Sequence, residues 1–379
     1  MEVFHGIGGD KLGEILHGIK NVRIALIGDI CLDVYWEADM RKSELSRETP
    51  HFPLPVVRER MYPGGGGNAA ANIAALRPKS FQLIGVIGKD WRGDVLSRKF
   101  KETGINTDTI VVSNKAVTNA YIKPIRKGIS QVAYEDPRLD FCNYEDLLRE
   151  DEEKLMEALE QCSRDADVLC VSDQLLHGCI TPEIRERILG LAKEGLKVIV
   201  DSRDRIGMYK GVTLKPNEVE GTKAVYSHSA PEGTKAACNH VPSGEMTIEE
   251  YARAAKILAG RNQSKVYMTL GSKGCLYVDS QTVTYVPSYD VKPPIDIWRS
   301  RGYFFLGLCV RAGSGSRAQG SSVRGQHGGG RNHKKAGHYR NCKPGRDKSQ
   351  AKTNMRLIPL LIPATAYSGK RTVSYAYGA

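Results

Sequence analysis

Paired cysteines, long apolar runs and, over its last fifth, acidic residues are what this 379-residue chain lacks. Its nine cysteines are scattered and none forms a C-x-x-C pair, so neither a zinc site nor a disulfide framework is indicated and reduced thiols in a cytoplasm are expected. The opening MEVFHGIGGDKLGEIL has no secretory h-region. No apolar run approaches the roughly 18 residues of a membrane helix, so a cytoplasmic protein is expected. Residues 298–379 hold 16 Lys and Arg against one acidic residue, Asp347. The first 297 residues hold 39 basic and 42 acidic residues, so the whole +12 excess lies in the tail. A pI near 9.2 would ordinarily suggest nucleic acid or an anionic surface, but residues 1–297 are mildly acidic, as in a soluble metabolic enzyme.

What is present over 1–297 is a βαβ rhythm. VRIALIGDI (22–30) reads as a buried parallel strand opening at Gly-Asp into a site. FQLIGVIG (81–88), Asp167–Val171, KVIVD (197–201), KVYMTL (265–270), CLYVD (275–279) and VTYVP (283–287) read as further strands. Helices are expected after the glycine run at 64–67, over 91–104, from Thr181-Pro182, and from a capping box of Thr247 and Glu250 to about Gly260. The pattern predicts an α/β sandwich with a mainly parallel sheet covered on both faces. Two β-rich stretches, about 36–62 and 110–135, break the rhythm and predict a small sheet standing off as a lid, or else a pair of edge hairpins.

Four segments carry chemistry. GDICLD places Asp29 and Asp33 at a strand end, where carboxylates accept hydrogen bonds from sugar hydroxyls or cap a turn. PGGGGNAAAN allows close backbone approach at Gly64 and Gly65 and offers the Asn68 amide at a helix start. KPNEVE (215–220) has the form N-x-x-E, with a carboxylate suited to hydrated Mg²⁺ beside phosphates. TLGSKG (269–274) is a strand-to-glycine turn suited to phosphate contacts through backbone N–H groups, or a plain hairpin turn.

As an ordered set these segments resemble the ribokinase-like sugar kinases, the phosphofructokinase B family. The G-x-x-GKD-x-x-G segment at Gly85, Gly88, Lys89, Asp90 and Gly93 belongs to the same match, which covers about 20–297. SRETPHFPLPVV, VSD (171–173), VDSRDR (200–205) and TLKPNE look most like the bacterial D-glycero-D-manno-heptose-7-phosphate kinases of lipopolysaccharide core synthesis. The resemblance implies phosphoryl transfer from ATP, with Mg²⁺, to a sugar or sugar-phosphate hydroxyl. It implies sugar binding at Asp33, Gly64, Gly65 and Asn68, and a nucleotide site at Lys215, Asn217, Glu220, Thr269, Gly271 and Gly274, with Glu220 meeting the metal through water. Lys123, Arg126, Lys127 and Arg138 near the lid are candidates to meet a substrate phosphate or are solvated surface charges. A homodimer formed through the lid is left open.

The family element D-x-x-GAGD-T-F should begin at Asp296, its second Asp acting as general base and its Gly-Ala-Gly backbone stabilising the transferred phosphoryl group. The chain instead reads Asp296-Ile297-Trp298-Arg299-Ser300-Arg301-Gly302, with Gly302 at the general-base position. Translated one nucleotide out of register, permitted codons for 298–303 yield Gly-Ala-Gly-Asp-Thr, and continuing through Arg311 permits GAGDTFFSAFVCAL. Residues 331–348 likewise permit GITKKLATTGTASPEEIK. The tail is therefore expected to be a frameshift product, poorly packed, leaving no intact catalytic residue in a domain of residues 1–297. The competing expectations are a non-catalytic sugar- or nucleotide-binding protein and a basic nucleic-acid-binding tail, the latter disfavoured by its abrupt start inside a motif.

Overall fold

The computed structural model describes residues 1–6, 9–128, 132–226 and 246–288. The expectations for Asp296, Gly302 and the basic tail lie outside the described residues, as do positions 129–131 of the second β-rich stretch. The chain begins β1 (Glu2–Val3), α1 (Gly9–Gly18), β2 (Arg23–Gly28), β3 (Ile30–Asp39), β4 (Val56–Gly65), α2 (Gly66–Ala75), β5 (Ser80–Gly88) and α3 (Trp91–Glu102). It continues through β6 (Ile110–Ser113), β7 (Ala120–Lys127), β8 (Tyr134–Glu135), β9 (Leu139–Phe141), α4 (Arg149–Asp165), β10 (Val168–Asp173), α5 (Pro182–Lys193) and β11 (Lys197–Ser202). The last elements are β12 (Thr213–Leu214), α6 (Glu218–Tyr226), α7 (Ile248–Asn262), β13 (Lys265–Thr269), β14 (Gly274–Val278) and β15 (Val283–Pro287).

Ten strands form the main sheet in the order β1-β15-β14-β13-β12-β11-β10-β2-β5-β6. All run the same way except β14, which is antiparallel to both neighbours. Strand periodicity feeds two cores. Ala25 and Ile27 of β2 join Leu155, Leu159, Ile184, Ile188 and Leu258 from α4, α5 and α7. Ile24 and Leu26, one residue out of phase, join Ile73, Leu96 and Phe100 from α2 and α3. Helices therefore cover both faces, and a strand such as β10 is buried along its whole length.

Local chemistry starts the helices where the sequence places them. The Thr181 hydroxyl accepts from the Ile184 N–H at 3.2 Å, with Pro182 at the first helical position. Thr247 and Glu250 close a capping box, the Thr247 N–H donating to Glu250 Oε2 at 2.7 Å. α7 runs past Gly260 to Asn262 and ends on Gln263 in the left-handed region.

The run at 22–30 is not one strand. β2 stops at Gly28, and after Asp29 the chain enters β3, which leaves the main sheet. β3, β4, β7, β8 and β9 form a second sheet in the order β4-β3-β7-β8, with β9 also on β7. That sheet begins earlier and extends later than the two β-rich stretches suggest, from Ile30 to Phe141. Residues 110–113 do not belong to it: as β6 they pair with β5 at the edge of the main sheet. A short β-run has the same composition in either sheet, and only its partner decides.

Candidate active site

The parallel strands end along one edge of the main sheet, where the motif residues collect. Asp33 sits on β3 just beyond β2. Its Oδ1 accepts from the Lys123 ammonium at 3.1 Å, and its side chain keeps 23% exposure. Gly64 on β4 stands opposite Cys31, and an added Cβ there would lie 2.6 Å from Asp33 Oδ2, so the missing side chain is what makes room for the carboxylate. Gly65 has φ +56° and ψ −130°, and a Cβ there would lie 2.7 Å from the Asp29 carbonyl. The next residue's N–H, that of Gly66, donates to this carbonyl at 2.7 Å and opens α2, whose first turn carries the half-buried Asn68. Asp33, Gly64 and Gly65 are thus brought together, with Asn68 three residues beyond Gly65.

Asp29 takes the capping part of its two expected readings. It is 4% exposed, and its carboxylate accepts backbone N–H bonds from Gln174 (2.7 Å), Leu175 (2.8 Å) and Cys179 (2.8 Å). Its oxygens are spent clasping the loop after β10, so it is not available to sugar hydroxyls. Burial pushes its pKa up, the nearby Asp173 adds to this, and the three N–H groups oppose it.

The G-x-x-GKD-x-x-G segment is a knot rather than a ligand cradle. Asp90 caps α3 through Gly93 N–H (2.9 Å), and also accepts from Thr118 N–H (2.9 Å) and Arg92 (2.8 Å). Thr118 Oγ1 accepts from Gly88 N–H at 2.9 Å, and the following Asn119 carbonyl accepts from Leu32 N–H at 2.9 Å. The knot therefore ties the end of β5 to the strands that carry the second sheet. A Cβ on Gly88 would lie 2.3 Å from the Ala116 carbonyl.

Further along the edge, the KPN and T-x-G segments touch: Thr269 N–H donates to the Pro216 carbonyl at 3.0 Å, and Asn217 bridges to Thr269. Asn217 and Glu220 form a reciprocal box at the start of α6, Asn217 N–H donating to Glu220 Oε2 (2.8 Å) and Glu220 N–H to Asn217 Oδ1 (2.7 Å). Gly271 (φ +55°) lies in the turn between β13 and β14, near Glu218. Gly274 closes that turn: its carbonyl accepts from Leu270 N–H at 2.8 Å, and a Cβ would lie 2.2 Å from the Val286 carbonyl. The hairpin reading of this glycine turn is realised, at the same edge as KPN. Lys215, at the same edge, is buried (2% exposed), and its ammonium lies 3.1 Å from Asp201, which secures β11 to the chain after β12.

A resident Mg²⁺ fits this edge only through water. Among the described residues no group of three or more His, Cys, Asp or Glu could hold a metal, and Glu220 already accepts a backbone N–H. A single carboxylate at a helix start suits a hydrated ion shared with phosphates.

Sequence reading missed the buried Asp173 network. Asp173 accepts from Ser202 Oγ (2.8 Å), Tyr209 Oη (2.9 Å) and the Arg205 guanidinium, which also donates to the Leu175 carbonyl at 2.7 Å. The strand-end Asp in VSD and the arginine in VDSRDR are its signal, but nothing local pairs them.

A profile of the pfkB family carbohydrate kinases matches residues 23–296. The chain belongs to that family. By family it is a phosphotransferase acting on carbohydrates. The bifunctional protein HldE of Caulobacter vibrioides is 30% identical over 275 residues, covering 68% of this chain and 53% of that protein. HldE of Caulobacter sp. is 29% identical over 272 residues, covering 68% and 52%. The chain thus spans about half the length of the curated relatives it matches. Among solved structures, the tetrameric inhibited form of phosphofructokinase-2 from Escherichia coli aligns with TM-score 0.54 and 21% identity over 77% of this chain and 89% of that one. Arabidopsis thaliana ribokinase complexed with ribose and ATP aligns with TM-score 0.54 and 17% identity, covering 78% and 90%. These two likenesses show the ribokinase-like fold. Among the described residues no helix is long and apolar enough to cross a membrane.

Proposed function

We propose that residues up to Asp296 are the greater part of an ATP- and Mg²⁺-dependent kinase for D-glycero-D-manno-heptose 7-phosphate, and that residues 298–379 are an out-of-frame replacement for its catalytic segment. One observation carries the proposal: the family match ends at Asp296. That is the residue where the D-x-x-GAGD element should begin and two residues before the basic tail. With Gly302 at the general-base position the chain as written is a very poor kinase or none, since general-base catalysis contributes about 10²–10⁴-fold.

The heptose assignment is supported by the HldE relatives and by the cations around Asp33. Of the four candidates, Arg126 is paired with Asp136 (2.6 Å) and Lys127 with Glu37 (3.1 Å). Lys123 touches Asp33, and Arg138 lies over the Tyr121 ring at 4.6 Å while bonded to Asp140. All four are engaged with carboxylates, and Lys123, through Asp33, is the one that stands at the sugar site. In this reading Asp33 and the glycine run hold the sugar. Asn217, Glu220 and the turn at 269–274 hold the nucleotide, and Mg²⁺ neutralises its phosphates when bound. A frame-restored protein assayed with ribose, fructose, fructose phosphates, adenosine and heptose 7-phosphate tests the substrate; preference for an unphosphorylated sugar would remove the heptose assignment. A nucleic-acid role for the tail rests on its 16 basic residues alone, and salt-sensitive polynucleotide binding lost on deleting 298–379 would favour it.

A further inference from the structure

We propose that Lys123 is the positioning and charge-balancing residue of the sugar site: it turns Asp33 so that Oδ2 is the accepting oxygen, and neutralises the pocket for a phosphorylated sugar. This deepens the reading of Asp33 given above and rests on it. The register of β3 and β7 sets the geometry. Tyr35 stands opposite Lys123 and Asp33 opposite Tyr121, so Asp33, Tyr35 and Lys123 share one face of the second sheet.

The ammonium reaches back along β3 and donates to Asp33 Oδ1 and to Tyr35 Oη, both at 3.1 Å, while lying 4.6 Å from the centroid of the Tyr35 ring. Lys123 is only 5% exposed. A buried ammonium is costly unless paired, and the carboxylate it meets is the one the sugar needs. Burial pulls the ammonium toward its neutral form, but Asp33 and the Tyr35 hydroxyl outweigh this and hold it charged. With Oδ1 engaged by the ammonium, Oδ2 lies against Gly64, whose lack of a Cβ makes room for the carboxylate. A lone carboxylate there would repel a phosphate dianion; the ion pair does not. Lys123 thus acts on a bound sugar through Asp33, and its charge bears most on phosphorylated ligands.

Isothermal titration of the full 379-residue chain with D-glycero-D-manno-heptose 7-phosphate, and with the same heptose lacking phosphate, tests this. Lys123→Gln keeps a donor but removes the charge. We expect roughly tenfold weaker binding of the phosphorylated sugar, with the neutral heptose changed by no more than about threefold, the asymmetry expected of an unpaired charge. Lys123→Met, which also removes the donor, should weaken both. The Lys123→Met and Asp33→Asn losses should be non-additive, since the two residues act as one pair. Should the Lys123→Gln protein fail to fold, as judged by its melting curve, Tyr35→Phe, which removes one partner of the ammonium, supplies the comparison and should shift the phosphate preference in the same direction. Equal losses for both sugars in a folded Lys123→Gln protein, or additive losses in the cycle, would overturn the inference. A wild-type chain that binds neither sugar would instead overturn the assignment of Asp33, and this inference with it.

Discussion

Replacing Asp29 by asparagine changes one buried atom in the clasp that holds the loop after β10 against the end of β2. The amide oxygen can keep the Gln174 and Leu175 N–H groups, both of which donate to Oδ2. The amide nitrogen then faces Cys179 N–H, whose 2.8 Å bond to Oδ1 is lost. Leaving that buried donor unpaired costs about 1–3 kcal/mol. Against this, the substitution removes a buried negative charge and its repulsion with Asp173. A net loss of about 1–2 kcal/mol follows, or roughly 3–6 °C in melting temperature for a domain of this size. The pH dependence carries the sharper test. Burial raises the Asp29 pKa, so the folded protein takes up a proton at higher pH than the unfolded chain, whose Asp titrates near about 4. Wild-type stability therefore falls as pH rises from about 4 through the raised pKa, while the amide does not titrate. Melting curves of both proteins from pH 4 to 8 should show a gap that is largest in mild acid and narrows toward neutrality. A gap that widens with rising pH would refute the reasoning, because it would mean that the fold favours the ionised carboxylate.

Three further outcomes follow from other contacts. Gly88→Ala places a methyl 2.3 Å from the Ala116 carbonyl, and overpacking of this kind should lower stability by about 1–3 kcal/mol in denaturant titrations. Asp33→Asn should weaken sugar binding about tenfold or more in titration calorimetry and also lower the melting temperature, since it removes the counter-charge of the buried Lys123 ammonium as well as charged hydrogen bonds to a ligand. Asp279 in the β14–β15 turn accepts from Gln281 and Thr282 N–H and from Tyr277 Oη; burial opposes ionisation, but these bonds outweigh it and hold its pKa near about 2. Its contribution should be present above about pH 4 and lost as pH falls toward 2, and Asp279→Ala should abolish that component of acid unfolding.

Much of the architecture was legible because its signals are local. Thr181-Pro182 and Thr247 with Glu250 cap their helices within one turn, and the strands at 197–202 and 283–287 fall where their apolar runs lie. What escaped depends on partners far along the chain. Asp29 and Asp33 look alike as strand-end carboxylates. They are separated by contacts about 145 residues away for the first and 90 for the second. Nothing local to KPNEVE shows that Lys215 is buried against Asp201 on the neighbouring strand. Residues 110–113 have the composition of a lid strand, yet β5 offers the open edge they pair with. The four glycine-containing segments could be ordered by resemblance, but the knot role of Gly88-Lys89-Asp90 required seeing Thr118 close on it.

On the reading proposed above, a sugar kinase domain runs to Asp296 and then leaves its reading frame. Shifting the frame by a single nucleotide at the codons for Ile297–Trp298, and comparing ATP-dependent phosphorylation of heptose 7-phosphate by the restored and original chains, tests it directly. The restored frame should encode GAGDTF followed by a TTGTASPEEI-like segment, and its product should turn over at least about 10²-fold faster, the lower bound of a general base regained. Equal activity in the two proteins, or neighbouring frames that hold early stop codons and no Gly-Ala-Gly-Asp, would contradict the claim.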